Sequence, residues 1–157
     1  MNVQVTPPTA GVTPPPQPKS LADTGLSLVM MREILLKTMF RTNLSLASEL
    51  SRVIALPVVL TQELIDLART QRMIEATGTL HATSGNEMGY QLTDGGKARA
   101  LDALSQSEYY GALPVPLAQY AEQMKRQSVR DIKLTRPELL KGMGHLILPT
   151  DLIDNLG

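Results

Sequence analysis

Between Asn43 and Leu104 the spacing of apolar side chains switches from helical to alternating and back to helical. That switch limits the folds open to the chain more than any other feature does. Leu46, Ala47, Leu50, Val53 and Ile54 recur at the spacing of one buried helix face, with Ser45 placed to cap it and Pro57 to stop it. Thr61 can cap a second helix, with Leu60 stapled onto Ile65 and with Leu64, Ile65, Leu67 and Ala68 turned inward. Arg69 and Arg72 fall in its last turns, where cations suit the helix dipole. Residues 73–80 are β-branched and alternate in part, residues 81–87 hold a Ser-Gly-Asn turn, and residues 88–92 read as the returning strand. Thr93 then caps a closing helix carrying Ala98, Ala100, Leu101 and Leu104. Helix, helix, strand, turn, strand, helix is the order of a helix-turn-helix with a wing. The expected fold is therefore mainly α with a small β-hairpin (α+β): a winged helix-turn-helix with an extra N-terminal helix and a C-terminal helical extension.

The flanks divide the chain further, into a tail over residues 1–20, the winged domain over 21–108 and a helical linker over 109–157. Residues 1–20 are rich in Pro and Thr, a composition that favours an extended, disordered spacer. Pro15 and Pro18 fit a P-x-x-P ligand pattern, which also arises by chance in any such tail. From Leu26 to Phe40, ten of fifteen residues are apolar, which leaves no broad solvated face. Glu33 and Lys37 stand at i, i+4, where they can pair. Two readings compete for this helix. It is the domain's most buried helix, or Met30, Met31, Leu35, Met39 and Phe40 form part of an interface with another domain or a second copy.

After Leu104 a turn-rich connection over residues 109–116 leads to a short helix with Leu117, Tyr120, Ala121 and Met124 along one side. Thr135-Arg-Pro-Glu138 is a capping box that starts a further helix, and Thr150 caps a last short turn. Lys125, Arg126, Arg130, Lys133, Arg136 and Lys141 face only Asp131 and Glu138 over the same stretch, the one basic concentration in the chain. It reads either as a solvated linker or as a contact for nucleic acid or an acidic partner.

Hydrophobic residues make up 43% of the chain, enough for a core that is aliphatic and Met-rich because there is one Phe and no Trp. The formal charge is zero, so no global field calls for nucleic acid or an anionic membrane. There is no cysteine for a disulfide or a thiolate, no secretory leader pattern and no apolar run of membrane-spanning length. A soluble cytoplasmic protein is expected. His81 and His145 are the two histidines, and the carboxylates are scattered singly, so neither a metal set nor an acid–base pair emerges. Lys97 follows Gly95-Gly96 as in a phosphate-binding loop, but that loop needs Gly at 91 and Ser or Thr at 98 where the chain has Gln91 and Ala98. The glycines read instead as room for the closing helix to start close to the returning strand, with Lys97 and Arg99 facing solvent. No catalytic residue, metal ligand or cofactor site is expected in this chain.

A winged helix raises the question of DNA, because such folds lay the second helix in the major groove and touch phosphates with the wing. Thr61, Gln62, Arg69, Gln71 and Arg72 on the second helix, with His81 and Asn86 in the wing, are the candidate contacts. Between Thr61 and Arg72 the charges of Glu63, Asp66, Arg69 and Arg72 cancel, and residues 81–88 carry Glu87 and no cation. Phosphate neutralisation supplies most non-specific DNA affinity, so this distribution favours a protein partner.

Residues 20–31 (Ser20-Leu-Ala-Asp-Thr-Gly-Leu-Ser-Leu-Val-Met-Met31), 36–40 (Leu36-Lys-Thr-Met-Phe40), 85–94 (Gly85-Asn-Glu-Met-Gly-Tyr-Gln-Leu-Thr-Asp94) and 144–149 (Gly144-His-Leu-Ile-Leu-Pro149) carry a resemblance. They resemble the region that precedes the nucleotide-binding domain in a bacterial group of AAA-type ATPases. The likeness covers residues 20–157. It implies a longer, ATP-binding parent protein that continues past Gly157 into a strand and a phosphate-binding loop. It also implies a recruiting or regulatory role for the winged helix, with residues 109–156 as the linker. None of that family's ATP-site residues falls within this chain. The function expected is a non-catalytic interaction module that meets a protein partner or an ATPase domain, with self-association through the first helix as a further option. The rival is a DNA-binding transcriptional regulator.

Overall fold

The computed structural model describes residues 14–82 and 85–128, together with Pro137 and Lys141. The described residues up to Ala121 form one compact unit, and those from Glu122 on belong to a second. The capping box at Thr135, the last turn after Thr150 and His145 lie outside the described residues.

Helix α1 (Leu28–Thr42) is the centre of the unit. The Ser27 hydroxyl caps it by accepting from the Met30 N–H at 3.2 Å, and Asn43 ends it in the left-handed conformation. Met31, Ile34, Leu35, Leu36, Lys37, Thr38 and Met39 are all buried, and α1 touches every helix of the helix-turn-helix as well as the closing helix and the hairpin. Met31, Leu35 and Met39 therefore belong to the chain's own core, which removes them from any interface; the apolar groups left exposed are Leu28, Val29 and Met30 at the start of the helix. Phe40 is half-buried and packs against the core. Lys37 is buried too. Its ammonium donates to the Ser107 carbonyl at 3.1 Å, at a helix C-terminus where a cation is favoured. Glu33 consequently pairs with Arg99 at 2.5 Å and not with Lys37, and Arg99 is half-buried instead of facing solvent.

Helix α2 (Ala47–Ile54) and helix α3 (Val58–Thr70) form the helix-turn-helix. Both start elsewhere than local sequence suggests. Ser45 does not cap α2, because its carbonyl accepts the Tyr90 N–H at 2.8 Å and holds the segment extended beside the hairpin. Helix α3 starts at Val58, with Pro57 at the N-cap, so Thr61 and Leu60 lie inside the helix and no staple forms before it. Pro57 supplies a fixed φ and loses nothing by lacking an N–H there. The Thr61 hydroxyl donates back to the carbonyls of Leu56 (3.3 Å) and Pro57 (3.1 Å), while Ser51 donates to Leu56 at 2.7 Å. Two buried hydroxyls thus satisfy the carbonyls of the turn, the requirement any buried polar backbone must meet.

Helix α3 ends with Arg72 at φ +57°, its N–H bonded to Arg69 O and the next N–H, of Met73, bonded to Ala68 O. This is the pattern of a Schellman ending, with Arg where Gly is usual. Strand β1 (Ile74–Ala82) then pairs antiparallel with β2 (Gly85–Leu92), with an irregularity between Ala76 and Gly78. The strands run further toward the tip than the alternation implied, so His81, Asn86 and Glu87 are strand residues and His81 pairs with Asn86. Leu46 bridges to Gly89 on the outer side of β2.

Helix α4 (Asp94–Gln106) starts where expected, on Thr93, whose hydroxyl accepts the Gly96 N–H at 3.1 Å and donates to Arg72 O at 2.7 Å. Gly96 makes a close approach, not a phosphate site, because a Cβ at this position would overlap the Met73 carbonyl. The chain then folds back over the domain: Gly111 N–H bonds to Thr38 Oγ1 (3.2 Å) and Leu113 N–H to Ile54 O (2.8 Å). Helix α5 (Leu117–Arg126) follows, with no buried residue.

Gly96→Ala is expected to lower stability by about 2–3 kcal/mol, since the overlap is with rigid backbone; a downward shift of the urea midpoint at unchanged slope checks it. Arg72→Gly is expected to raise stability by about 1 kcal/mol by relieving the left-handed penalty of a non-glycine residue, read from the same unfolding curves.

Candidate partner-binding surface

Helix α3 and the hairpin are held together by three side chains. Tyr90 on β2 is buried, and its hydroxyl accepts from Gln62 Nε2 at 2.8 Å. The Arg69 guanidinium lies over the same ring, 5.9 Å from its centroid, an attraction worth about 0.5–1 kcal/mol at an exposed site. Glu87 reaches from β2 to the first turn of α2, where Oε1 accepts the Ser48 N–H at 2.8 Å and Oε2 accepts the Ser48 hydroxyl at 2.7 Å. The helix α2 N-cap residue, Leu46, has no side-chain acceptor, so a carboxylate 39 positions away satisfies the open N–H instead. Nothing local in the sequence marks Glu87 for this, because the cap is formed across the fold.

The candidate contacts fall into different settings. Thr61 is fully buried with its hydroxyl on the helix-turn-helix carbonyls, so it offers no contact surface. Gln62 is half-buried and committed to Tyr90 and Asp66, and the Gln71 side chain accepts from Arg32 Nη1 at 2.6 Å. Arg69 is exposed and paired with Asp66 at 3.0 Å. Arg72 and Asn86 are exposed, while the side chain of His81 lies outside the described residues. Along the basic stretch, Lys125 and Arg126 are exposed on α5, with Arg126 paired to Glu122; Arg130, Lys133 and Arg136 lie outside the described residues.

Two features of the surface escaped the sequence. The outer face of α3 begins with Val58 and Val59, 48% and 78% exposed, ahead of the helix start that Thr61 suggests. A groove of about 950 Å³ also opens between the end of α1 and the hairpin, with Phe40, Leu44 and Leu80 as apolar lining and Glu75, Gln91 and Lys97 among its polar groups. Its lining comes from three separate stretches, residues 39–45, 75–80 and 90–97, so no spacing rule finds it.

Electrostatically the surface is mixed. Lys97 pairs with Asp94, Arg99 with Glu33 and Asp102, and Glu75 accepts from Gln91. The Asp23 carboxyl is held below its ordinary value by hydrogen bonds from the Lys19 and Ser20 backbone N–H groups in the turn before α1. Among the described residues no group of His, Cys, Asp and Glu could hold a metal ion, and no helix is long and apolar enough to cross a membrane.

No protein-family model matches this chain. No curated protein matches it either. Among solved structures, a probable transcriptional regulator from Pseudomonas aeruginosa aligns over 75% of this chain and 76% of its own at 15% identity and a TM-score of 0.41. A mutant of ZitR from Lactococcus lactis in its apo form aligns over 75% of this chain and 82% of its own, at 11% identity and a TM-score of 0.43. A second structure of that mutant covers 87% of this chain and 80% of its own, at 14% identity and a TM-score of 0.43. At these values the likeness assigns no function.

Glu87→Ala is expected to cost about 1–2 kcal/mol, the scale of a charge-assisted hydrogen bond at a partly exposed cap, and to speed hydrogen exchange at the Ser48 amide. An unchanged exchange rate there would show that the carboxylate does not cap α2.

Proposed function

We propose that this chain is a non-catalytic winged-helix module that docks a protein partner through the outer face of α3 and the adjoining hairpin. The observation that carries the reading is the composition of that face. Its first two turns present Val58, Val59, Gln62 and Glu63 and no cation, and Arg69 further along is already paired with Asp66. Strands β1 and β2 add Glu75 and Glu87 and no Lys or Arg. A duplex would find few charges there to replace its counterions. Aliphatic side chains left open on a recognition helix suit a protein surface better than a phosphate backbone.

The resemblance of residues 20–157 to the region ahead of the nucleotide-binding domain in bacterial AAA-type ATPases supports the same reading. In that setting the module recruits or senses a client, and any ATP chemistry belongs to residues beyond this chain. The helix-turn-helix arrangement itself favours a second reading, in which α3 enters the major groove of DNA and the hairpin touches the backbone.

Fluorescence anisotropy with random duplex DNA at low salt separates the two. No binding below about 10 μM is expected, whereas non-specific contact by a DNA-binding protein falls at about 10⁻⁴–10⁻⁶ M even at physiological salt. Tight, salt-sensitive binding abolished by Arg69→Ala with Arg72→Ala would replace the protein-docking reading with the DNA one. The reading frame past the codon for Gly157 is expected to reach a G-x-x-x-x-G-K pattern followed by Ser or Thr; a stop codon directly after it would remove the ATPase setting.

A further inference from the structure

The outer face of α3 specifies more than a protein in general. At about 100° per residue, Val59, Glu63, Asp66 and Thr70 fall on one stripe, and all four are exposed. The stripe starts apolar, with Val59 78% exposed beside Val58, and becomes acidic one turn later. Glu63 makes no hydrogen bond or ion pair among the described residues. Asp66 does, but both donors that reach it, Arg69 Nη1 at 3.0 Å and Gln62 Nε2 at 3.3 Å, use the same oxygen, Oδ1. Its Oδ2 accepts no hydrogen bond among the described residues. The Arg69 guanidinium also lies over the Tyr90 ring, 5.9 Å from its centroid.

We propose that this stripe binds a cationic, aliphatic peptide segment, one that sets an apolar side chain on Val58 and Val59 and a lysine or arginine against Glu63 and Asp66. The proposal rests on the reading of α3 as a protein-docking face and names the partner's chemistry. Charge complementarity selects this occupant: Glu63 has no cation partner among the described residues and Asp66 meets Arg69 through one oxygen only, so the stripe has carboxylate capacity left for a cation and none for an anion. The apolar end supplies what charge alone lacks, an anchor that excludes water beside the ion pairs and so favours a defined register.

The test titrates the full isotope-labelled chain with three probes: a short amphipathic Leu/Lys peptide, its Leu/Glu counterpart and random duplex DNA. Amide shifts at Val59, Glu63 and Asp66 are expected with the Leu/Lys peptide alone. Affinity is expected to fall about tenfold or more on Glu63→Lys with Asp66→Lys, as for reversing complementary interfacial charges, and severalfold on Val59→Ser. All three positions are exposed, and far-UV circular dichroism confirms that the variants fold. Binding of the Leu/Glu peptide at α3 would overturn the cationic partner and leave the docking face standing. Shifts at α3 with DNA would overturn both. Leu/Lys binding that shifts other residues, or that ignores Val59→Ser, would reduce the effect to general electrostatics and overturn the proposal, as would no binding by any probe.

Discussion

The unit depends on the burial of α1. Seven of its fifteen residues are withdrawn from water, and two of those are Lys37 and Thr38, whose polar groups had to be matched before the helix could sit there. Lys37 meets the open end of α4 and Thr38 meets the Gly111 N–H, so the same two side chains that threaten the core also fasten the segment after α4 to it. Burying a charge without such a partner would cost several kcal/mol, on the order of the whole stability of a small domain. The helix-turn-helix, the hairpin and α4 are then laid against a single apolar rod, which explains a core of Leu, Ile and Met with little aromatic volume.

Local chemistry was legible in the sequence wherever one residue acts on its near neighbours. Thr93 caps α4 because its hydroxyl needs only the N–H three residues on, and the order of helices and strands follows from apolar spacing. Legibility ended where a distant group competed for the same atoms. Ser45 has the chemistry of a cap, but Tyr90 takes its carbonyl. Thr61 also looks like a cap, yet Pro57 lets the helix begin earlier, and the hydroxyl turns back on the preceding turn as Ser and Thr do inside helices. The methionines of α1 illustrate the same limit, since spacing identifies an apolar helix but not which side its own chain will cover.

For the candidate site the balance was poorer. Composition shows that α3 carries no excess of cations, because charge can be counted without coordinates. It does not reveal that Gln62, Gln71 and Arg69 are already engaged by Tyr90, Arg32 and Asp66, and so are less free to read a partner than their side chains suggest. Nor does it reveal the apolar start of α3, because Thr61 reads as the cap until Pro57 is seen to initiate the helix.

The Glu87 carboxylate on Ser48 bears on how the domain comes apart. A hairpin tip usually belongs to the least stable part of a structure and opens on its own. Here the tip strand carries the cap of a core helix, and that helix has no side-chain cap of its own. Fraying of the wing and fraying of α2 therefore become one event, and the wing borrows protection from the core against which α2 is packed. In folding, the cap closes a 39-residue separation. Helix α2 thus reaches its final stability only after β1 and β2 have paired, although it precedes them in the chain.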